Sequence, residues 1–137
     1  MARNIEGSIM DFLTSLNFWL WAAAGLLAVA YLMAGGMKAT QPIDKLAGQM
    51  KWPADYPRLT RFVGVSEVLG AIGLILPLLT GILAWLTPLA ALALVVVQVL
   101  AIGFHLMRKE PQILPANLVL LALAAFVVWG RLGLFGI

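Results

Sequence analysis

Long stretches without charge are the feature that most constrains this chain. No Asp, Glu, Lys or Arg occurs in residues 12–37, 68–107 or 111–130. A helix that crosses a bilayer needs about 20 mostly apolar residues. The first and third stretches therefore hold one span each, and the second, extended back to Arg61, holds two. The sequence predicts four transmembrane helices.

The turn residues between these stretches predict how the helices are arranged. Gly35-Gly36 is expected to end the first span, Thr80-Gly81 to turn the chain after the second, and Thr87-Pro88 to begin the third as N-cap and first helical residue. Short turns after the second and third spans make neighbouring helices antiparallel, which predicts an all-α up-down four-helix bundle. The single transmembrane domain covers residues 1–137, with spans at about 18–35, 59–79, 87–107 and 113–130.

Two segments outside the spans are predicted to lie at the membrane interface. Residues 1–17 carry apolar side chains on one helical face and are expected to be retained rather than cleaved as a signal peptide. The connection at residues 36–60 contains three prolines, which allow only a short helix. An amphipathic helix at about 42–51 is expected there, and its apolar positions are Ile43, Leu46, Ala47 and Met50.

Composition excludes several kinds of chemistry. The chain is 63% hydrophobic and 11% charged, which is incompatible with a soluble domain. It has no cysteine and a single histidine, His105, so thiol chemistry, iron-sulfur clusters and a His-rich metal site are excluded and no metal or covalently bound cofactor is expected. The net charge of +3 is typical of basic loops against anionic lipid, so membrane lipids are expected partners and nucleic acid is not.

The basic residues also predict orientation. The two connections that share one side of the membrane contain Lys38, Lys45, Lys51, Arg58, Arg61, Arg108 and Lys109, whereas the other side has Arg3 and Arg131. Cytoplasmic loops are enriched in Lys and Arg. Loops one and three are therefore predicted to be cytoplasmic and both termini extracytoplasmic.

Glu67 is the most informative polar residue inside a span. A charge at the bilayer centre costs about 2.5 to 3.5 kcal/mol on insertion scales, so such a group faces protein and has a partner. Gly64, Gly70 and Ala71 surround Glu67 on its helix, and Gly73 follows, so this face is expected to pack against another helix. The carboxyl group is interpreted either as a functional group or as an interhelical contact.

Other polar side chains are expected to enter the same half of the membrane as Glu67. At a rise of 1.5 Å per residue, His105 lies about 4.5 Å along its helix from Arg108, and Glu67 lies about 9 Å along its helix from Arg61. Since these two basic residues mark the same boundary of the membrane, contact or a bridging water between His105 and Glu67 is feasible. Gln98, which is about 10.5 Å deeper than His105, is a candidate for the same ligand-binding cavity, as are Asn117 and Tyr31. The alternative is an interhelical hydrogen bond for Gln98 and Asn117 and an ordinary packed or interfacial position for Tyr31. Lys38 is expected to extend toward the interface, and Arg131 to anchor the other end to lipid phosphate.

The order of small and polar residues resembles the DoxX and DoxX-like family over residues 20–132. The motif is Arg61-x-x-Gly64-x-x-Glu67-x-x-Gly70-x-x-Gly73, followed by Ala90-Ala91, His105, Asn117 and Gly130-Arg131. The resemblance implies a four-helix membrane protein. The family takes its name from a subunit associated with thiosulfate-to-quinone electron transfer, and most of its members have no assigned activity. In the family pattern Arg61, Glu67, His105 and Arg131 match characteristic polar positions, to which no established catalytic role is attached.

Two functions are compatible with this sequence. The first is a bacterial inner-membrane protein that binds a quinone or a similar lipophilic molecule, as the membrane subunit of a redox system with a partner subunit. Its expected ligand-binding residues are Glu67, His105, Gln98, Asn117, Arg61 and Tyr31. The second is a non-enzymatic membrane anchor, assembly factor or cargo-binding protein, whose polar residues only hold the helices together. Either protein could form a homo-oligomer.

The orientation can be tested with single cysteines, because the parent chain has none. A cysteine in place of Gln49 is expected to react with a membrane-impermeant maleimide only from the cytoplasmic side, and one in place of Ile137 only from outside. The reason is the unequal distribution of basic residues. Reaction of each site from the opposite side would reverse the orientation.

Overall fold

The computed structural model describes residues 2–49 and 52–134, and it is helical throughout its spans. Four long helices contain the uncharged stretches, and two short helices lie in the first connection. Their bounds are α1 Ala2–Thr40, α2 Ile43–Gln49, α3 Trp52–Asp55, α4 Pro57–Thr80, α5 Leu86–Met107 and α6 Leu114–Val128. A 3₁₀ turn at Pro111–Ile113 precedes α6, and a π-helical turn at Trp129–Leu134 follows it.

The four long helices form an up-down bundle. α1 packs against α4 and α6, and α5 packs against the same two helices, so each helix has two neighbours. All four are long and apolar enough to cross a membrane. The predicted all-α membrane bundle is confirmed.

Small residues fill the interior of the bundle, and large apolar residues cover its outside. The core combines alanines with a few larger side chains, namely Ala23, Ala24, Ala28, Ala71, Ala91, Ala124, Leu27, Leu74, Leu94 and Val127. Large side chains such as Leu26, Leu69 and Val99 remain exposed. This inversion is appropriate to a bundle in lipid, because helices associate there through close packing of small residues rather than by hiding apolar surface from water.

The first helix differs from the sequence prediction at both ends. It runs without interruption from Ala2 to Thr40, so residues 2–17 continue the helix of the span, and Gly35-Gly36 does not end it. A terminating glycine adopts a left-handed conformation, and among the described glycines only Gly81 has a positive φ, of 74°. Gly35 therefore serves contact between helices rather than helix termination.

Contact between α1 and α4 depends on two glycines. A Cβ atom added to Gly35 would lie 2.7 Å from the carbonyl oxygen of Gly64, and one added to Gly64 would lie 2.6 Å from the backbone nitrogen of Ala39. Gly70 and Gly73 meet Leu94 and Ala90 of α5 in the same way. The prediction that the glycine-rich part of α4 packs against protein is confirmed.

The turn between α4 and α5 also differs in one detail. Gly81 ends α4 in the left-handed conformation, as a C-terminal glycine commonly does. Thr87 is not the N-cap of α5, because the helix already begins at Leu86. The Thr87 hydroxyl instead donates a hydrogen bond to the carbonyl oxygen of Gly73, at 3.0 Å. This bond joins α4 to α5 near their shared turn.

The first connection contains the predicted short helix as α2, followed by one turn of α3. Leu46 of α2 is completely buried, as expected for its apolar face. The predicted end of this helix at Met50 and Lys51 lies outside the described residues. Ile137, the second position proposed for cysteine labelling, also lies outside them. The location of α2 at the membrane interface stays a prediction.

Alanine at Gly64 is expected to destabilise the bundle by about 1 to 3 kcal/mol, because the new methyl group would overlap backbone atoms of α1. Gly25→Ala is the matched control, since a Cβ at Gly25 meets nothing within 4 Å and alanine favours the helix by about 0.5 to 1 kcal/mol. Thermal unfolding in detergent compares the two. Equal melting temperatures for both variants would contradict the α1–α4 contact.

Candidate functional site

A cavity of about 650 Å³ lies at the end of the bundle that carries α2 and α3. All four long helices line it, and Trp52 of α3 also contributes. Its walls are largely apolar. Five of the six residues that the sequence predicted for a ligand site line this cavity, namely Tyr31, Glu67, Gln98, His105 and Asn117.

An ion pair between α1 and α4 forms one wall. The Lys38 ammonium donates hydrogen bonds to both carboxylate oxygens of Glu67, at 2.9 and 3.2 Å. The side chains are 14% and 5% exposed, so the expectation that Lys38 extends toward the interface is wrong. The Gly35–Gly64 contact brings the two backbones close enough for the short salt bridge. A buried carboxylate without a counter-charge would be strongly destabilising, which explains why the lysine turns inward.

Arg61 is the predicted site residue that lies outside the cavity lining. Its guanidinium donates a hydrogen bond to the carbonyl oxygen of Lys38, at 3.0 Å. In a continuing helix that carbonyl would accept from the backbone nitrogen of residue 42, but residue 42 is proline and has no N–H. Arg61 thus supplies the hydrogen-bond donor for the carbonyl oxygen at the end of α1, and it holds the Lys38 backbone beside α4.

Tyr31 and Gln98 form a buried pair between α1 and α5. The Gln98 side-chain nitrogen donates to the Tyr31 hydroxyl, and the two residues are 3% and 1% exposed respectively. The Gln98 side-chain oxygen is buried and has no hydrogen-bond partner within residues 2–49 and 52–134. The interhelical hydrogen bond expected for Gln98 therefore uses only the nitrogen of its amide, and the oxygen of this lining residue stays unpaired.

His105 lies at the last turn of α5. Its Nδ1 atom is 3.5 Å from a carboxylate oxygen of Glu110, the nearest acidic partner in the described part of the chain. Nδ1 is buried and makes no hydrogen bond to any described residue. The sequence placed Glu67 beside His105. Both side chains do line the cavity, but their ion-pair partners are different.

Glu110 and Arg108 connect this histidine to the surface. Arg108 Nε donates to the same Glu110 oxygen at 2.8 Å, and another guanidinium nitrogen is 3.0 Å from the half-exposed Asp55 of α3. The hydrogen bond to Glu110, with a further one to Asp55, raises the pKa of Arg108 above its ordinary value, so the side chain stays cationic. The short charged turn after α5 thus orders the cavity end as well as reversing the chain.

Aromatic side chains surround the same guanidinium. Phe104 packs edge-on against Trp52 and Tyr56, with ring centroids 5.6 Å apart in each pair. Arg108 lies 5.6 Å from the Phe104 centroid and 5.9 Å from that of Tyr56. Sequence reasoning did not select these residues, because an aromatic residue near a span end is ordinary. The signal available in the sequence was that the basic pair Arg108-Lys109 and the aromatic residues Trp52 and Tyr56 belong to connections on the same side of the membrane.

Arg131 belongs to the opposite end of the bundle. It is 3% exposed and donates a hydrogen bond to the Asn17 side-chain oxygen, at 2.7 Å. It also lies 5.3 Å from the ring centroid of Trp21. The expectation that Arg131 anchors to lipid phosphate is therefore wrong, because the π-helical turn after α6 directs it onto α1.

Three polar side chains in the cavity lining, Gln98, His105 and Asn117, each carry a buried atom that makes no hydrogen bond. These atoms are the Gln98 oxygen, His105 Nδ1 and the Asn117 side-chain nitrogen, and none has a hydrogen-bond partner among the described residues. Leaving a buried polar group unpaired costs about 1 to 3 kcal/mol. An apolar cavity with an acceptor, a donor and an imidazole nitrogen is suited to a flat apolar molecule that carries oxygen atoms at its edge.

The comparisons with known proteins concern the same helices. Neither the search of curated proteins nor the search of solved structures found a match. The family model described as the DoxX-like family matches residues 22–127, which include every residue that lines the cavity. The match covers most of the chain and extends from the middle of α1 nearly to the end of α6, so this chain belongs to the DoxX-like family.

Proposed function

We propose that this DoxX-like membrane protein binds a quinone, or a lipophilic molecule of similar ring size and polarity, in the cavity between its helices. The observation that carries the proposal is that three polar side chains, Gln98, His105 and Asn117, line an otherwise largely apolar cavity and each keep one atom without a hydrogen-bond partner among the described residues. The volume of about 650 Å³ is within the usual range for small-molecule sites, about 300 to 1,000 Å³.

Each polar side chain has a definite role in this proposal. The Asn117 side-chain nitrogen donates to a ring carbonyl oxygen, and the Gln98 oxygen accepts from a ring hydroxyl group. The His105 imidazole exchanges a proton with the ring at the cavity edge, and a Glu110 carboxylate oxygen lies 3.5 Å from its Nδ1 atom. The Lys38–Glu67 pair places opposite charges in one wall. A bound quinone would supply the electron-transfer chemistry for which the chain has no group of its own.

The same proposal assigns a setting to the protein. Electrons would come from the cofactor of a redox partner subunit, and the protein would position the ring in a bacterial inner membrane. The end of the bundle that carries α2 and α3 would face the cytoplasm. Lys45, Arg58 and Lys109 are exposed at that end, whereas Arg131 at the other end is buried, which supports this orientation.

Gentle extraction followed by mass spectrometry tests the proposal. A quinone is expected to co-purify with the protein in roughly stoichiometric amount and to be absent from an unrelated four-span protein prepared in parallel. A stoichiometric protein partner without any lipophilic ligand would instead support an anchor, assembly or cargo-binding role.

Asn117→Leu separates ligand binding from interhelical contact. Leucine removes the donor and keeps the branch at Cγ, so quinone binding is expected to fall roughly tenfold, the value of one hydrogen bond of about 1.4 kcal/mol. Thermal stability without ligand is expected to be unchanged or higher, because the side-chain nitrogen of Asn117 has no partner among the described residues. Asn4→Leu, at an exposed position of α1, is the matched control. Loss of stability without loss of binding would contradict the proposed role.

A further inference from the structure

Two stripes of residues face each other along α4 and α5. Both follow alternating intervals of four and three residues, which keep them on one side of a helix. The stripe on α4 consists of Leu59, Val63, Ser66, Gly70 and Gly73. The stripe on α5 consists of Ala90, Leu94, Val97, Ala101 and Phe104. We call these two stripes together the α4–α5 seam.

One half of the seam is closed. A Cβ atom added to Gly70 would lie 2.9 Å from the Leu94 side chain, and one added to Gly73 would lie 2.7 Å from Ala90 Cβ. The hydrogen bond from Thr87 to the Gly73 carbonyl oxygen fixes the same half. No space for a ligand remains between the helices at this level.

The other half of the seam is open. Its six remaining residues all line the cavity, namely Leu59, Val63, Ser66, Val97, Ala101 and Phe104. Phe62 and Leu100, which are 70% and 67% exposed, also line it and lie at its outer edge. Because these two exposed side chains lie within apolar spans, the cavity reaches the outer surface of the bundle between α4 and α5.

The loop end of the cavity is covered. Trp52 is 7% exposed and packs against Phe104, and Tyr56 packs against the same ring. Arg108 lies beside Phe104 and Tyr56 and is held by Asp55 and Glu110. This cluster packs over the loop end of the cavity, which favours the opening between α4 and α5 as the route of access.

We propose that the open half of the α4–α5 seam holds the apolar tail of the ligand. The ligand is then an amphiphile whose polar ring occupies the cavity and whose flexible hydrocarbon chain passes between Phe62 and Leu100 into the bilayer. It enters from the membrane, ring first, and never crosses the aqueous phase. This inference rests on the proposed function, because it extends the same site to a second part of the ligand.

Blocking the opening tests the tail site. Leu100→Cys is labelled in detergent with a benzyl methanethiosulfonate, and Val99→Cys, also exposed but outside the lining, is the matched control. Both proteins are placed in phosphatidylglycerol-containing nanodiscs. Equilibrium binding is measured for 2,3-dimethoxy-5-methylbenzoquinone without a tail and with a decyl tail. Labelled Leu100→Cys is expected to lose at least roughly tenfold in affinity for the tailed quinone, equivalent to about 1.4 kcal/mol, and to keep its affinity for the tail-less one.

The outcomes distinguish this inference from the proposed function. Equal affinity of both labelled proteins for the tailed quinone, with the tail-less quinone still bound, would overturn the tail site and leave the ring site standing. Failure of the unlabelled protein to bind either quinone would overturn the proposed function.

The direction of access has its own measurement, which needs no quinone. A nitroxide label at Ala101→Cys is expected to relax with oxygen, which concentrates in the bilayer, and not with a water-soluble nickel chelate. Val99→Cys provides the lipid reference and Lys45→Cys the aqueous one. Relaxation by the nickel chelate as strong as at Lys45→Cys would overturn entry from the membrane, whatever the quinones show.

Discussion

The buried ion pair between Lys38 and Glu67 is the interaction on which the rest of the site depends. Two opposite charges inside a bundle are stable only when their geometry is close to ideal. That geometry requires α1 and α4 to touch at Gly35 and Gly64, and it requires the Lys38 backbone to keep its position at the end of α1. Arg61 meets the second requirement, because its guanidinium donates to the Lys38 carbonyl oxygen the hydrogen bond that Pro42, which has no N–H, cannot donate. A few residues thus set the separation of α1 and α4 and one wall of the cavity.

The number of spans and their approximate position could be predicted because insertion depends on local composition. A charged residue is costly near the centre of a span, so long gaps between charges map the helices without knowledge of their neighbours. The entry of Glu67, His105 and Asn117 from the same side of the membrane followed from counting residues along antiparallel helices, and Gln98 and Tyr31 were placed on faces that could line the same cavity. The cavity that these five residues line agrees with that estimate of depth.

The partners of the charged residues could not be predicted in the same way. Lys38 and Arg131 stand near span ends, where a basic residue commonly reaches toward lipid headgroups. Which direction each takes depends on the rotation of its helix and on the neighbour it meets, Glu67 for one and Asn17 for the other. Gly35 was misread for a related reason. A glycine that ends a helix and a glycine that lets two helices touch are identical in sequence, and only the backbone conformation distinguishes them.

The open half of the seam has a consequence for selectivity. Hydrocarbon in the bilayer and side chains along the seam are similarly apolar, so transferring an alkyl chain from one to the other changes its free energy little. Discrimination among ligands then rests on the polar ring and on the atoms of Gln98, His105 and Asn117. Ligands that share one ring and differ only in the length of the alkyl chain would compete on nearly equal terms, and each would occupy the protein in proportion to its mole fraction in the membrane.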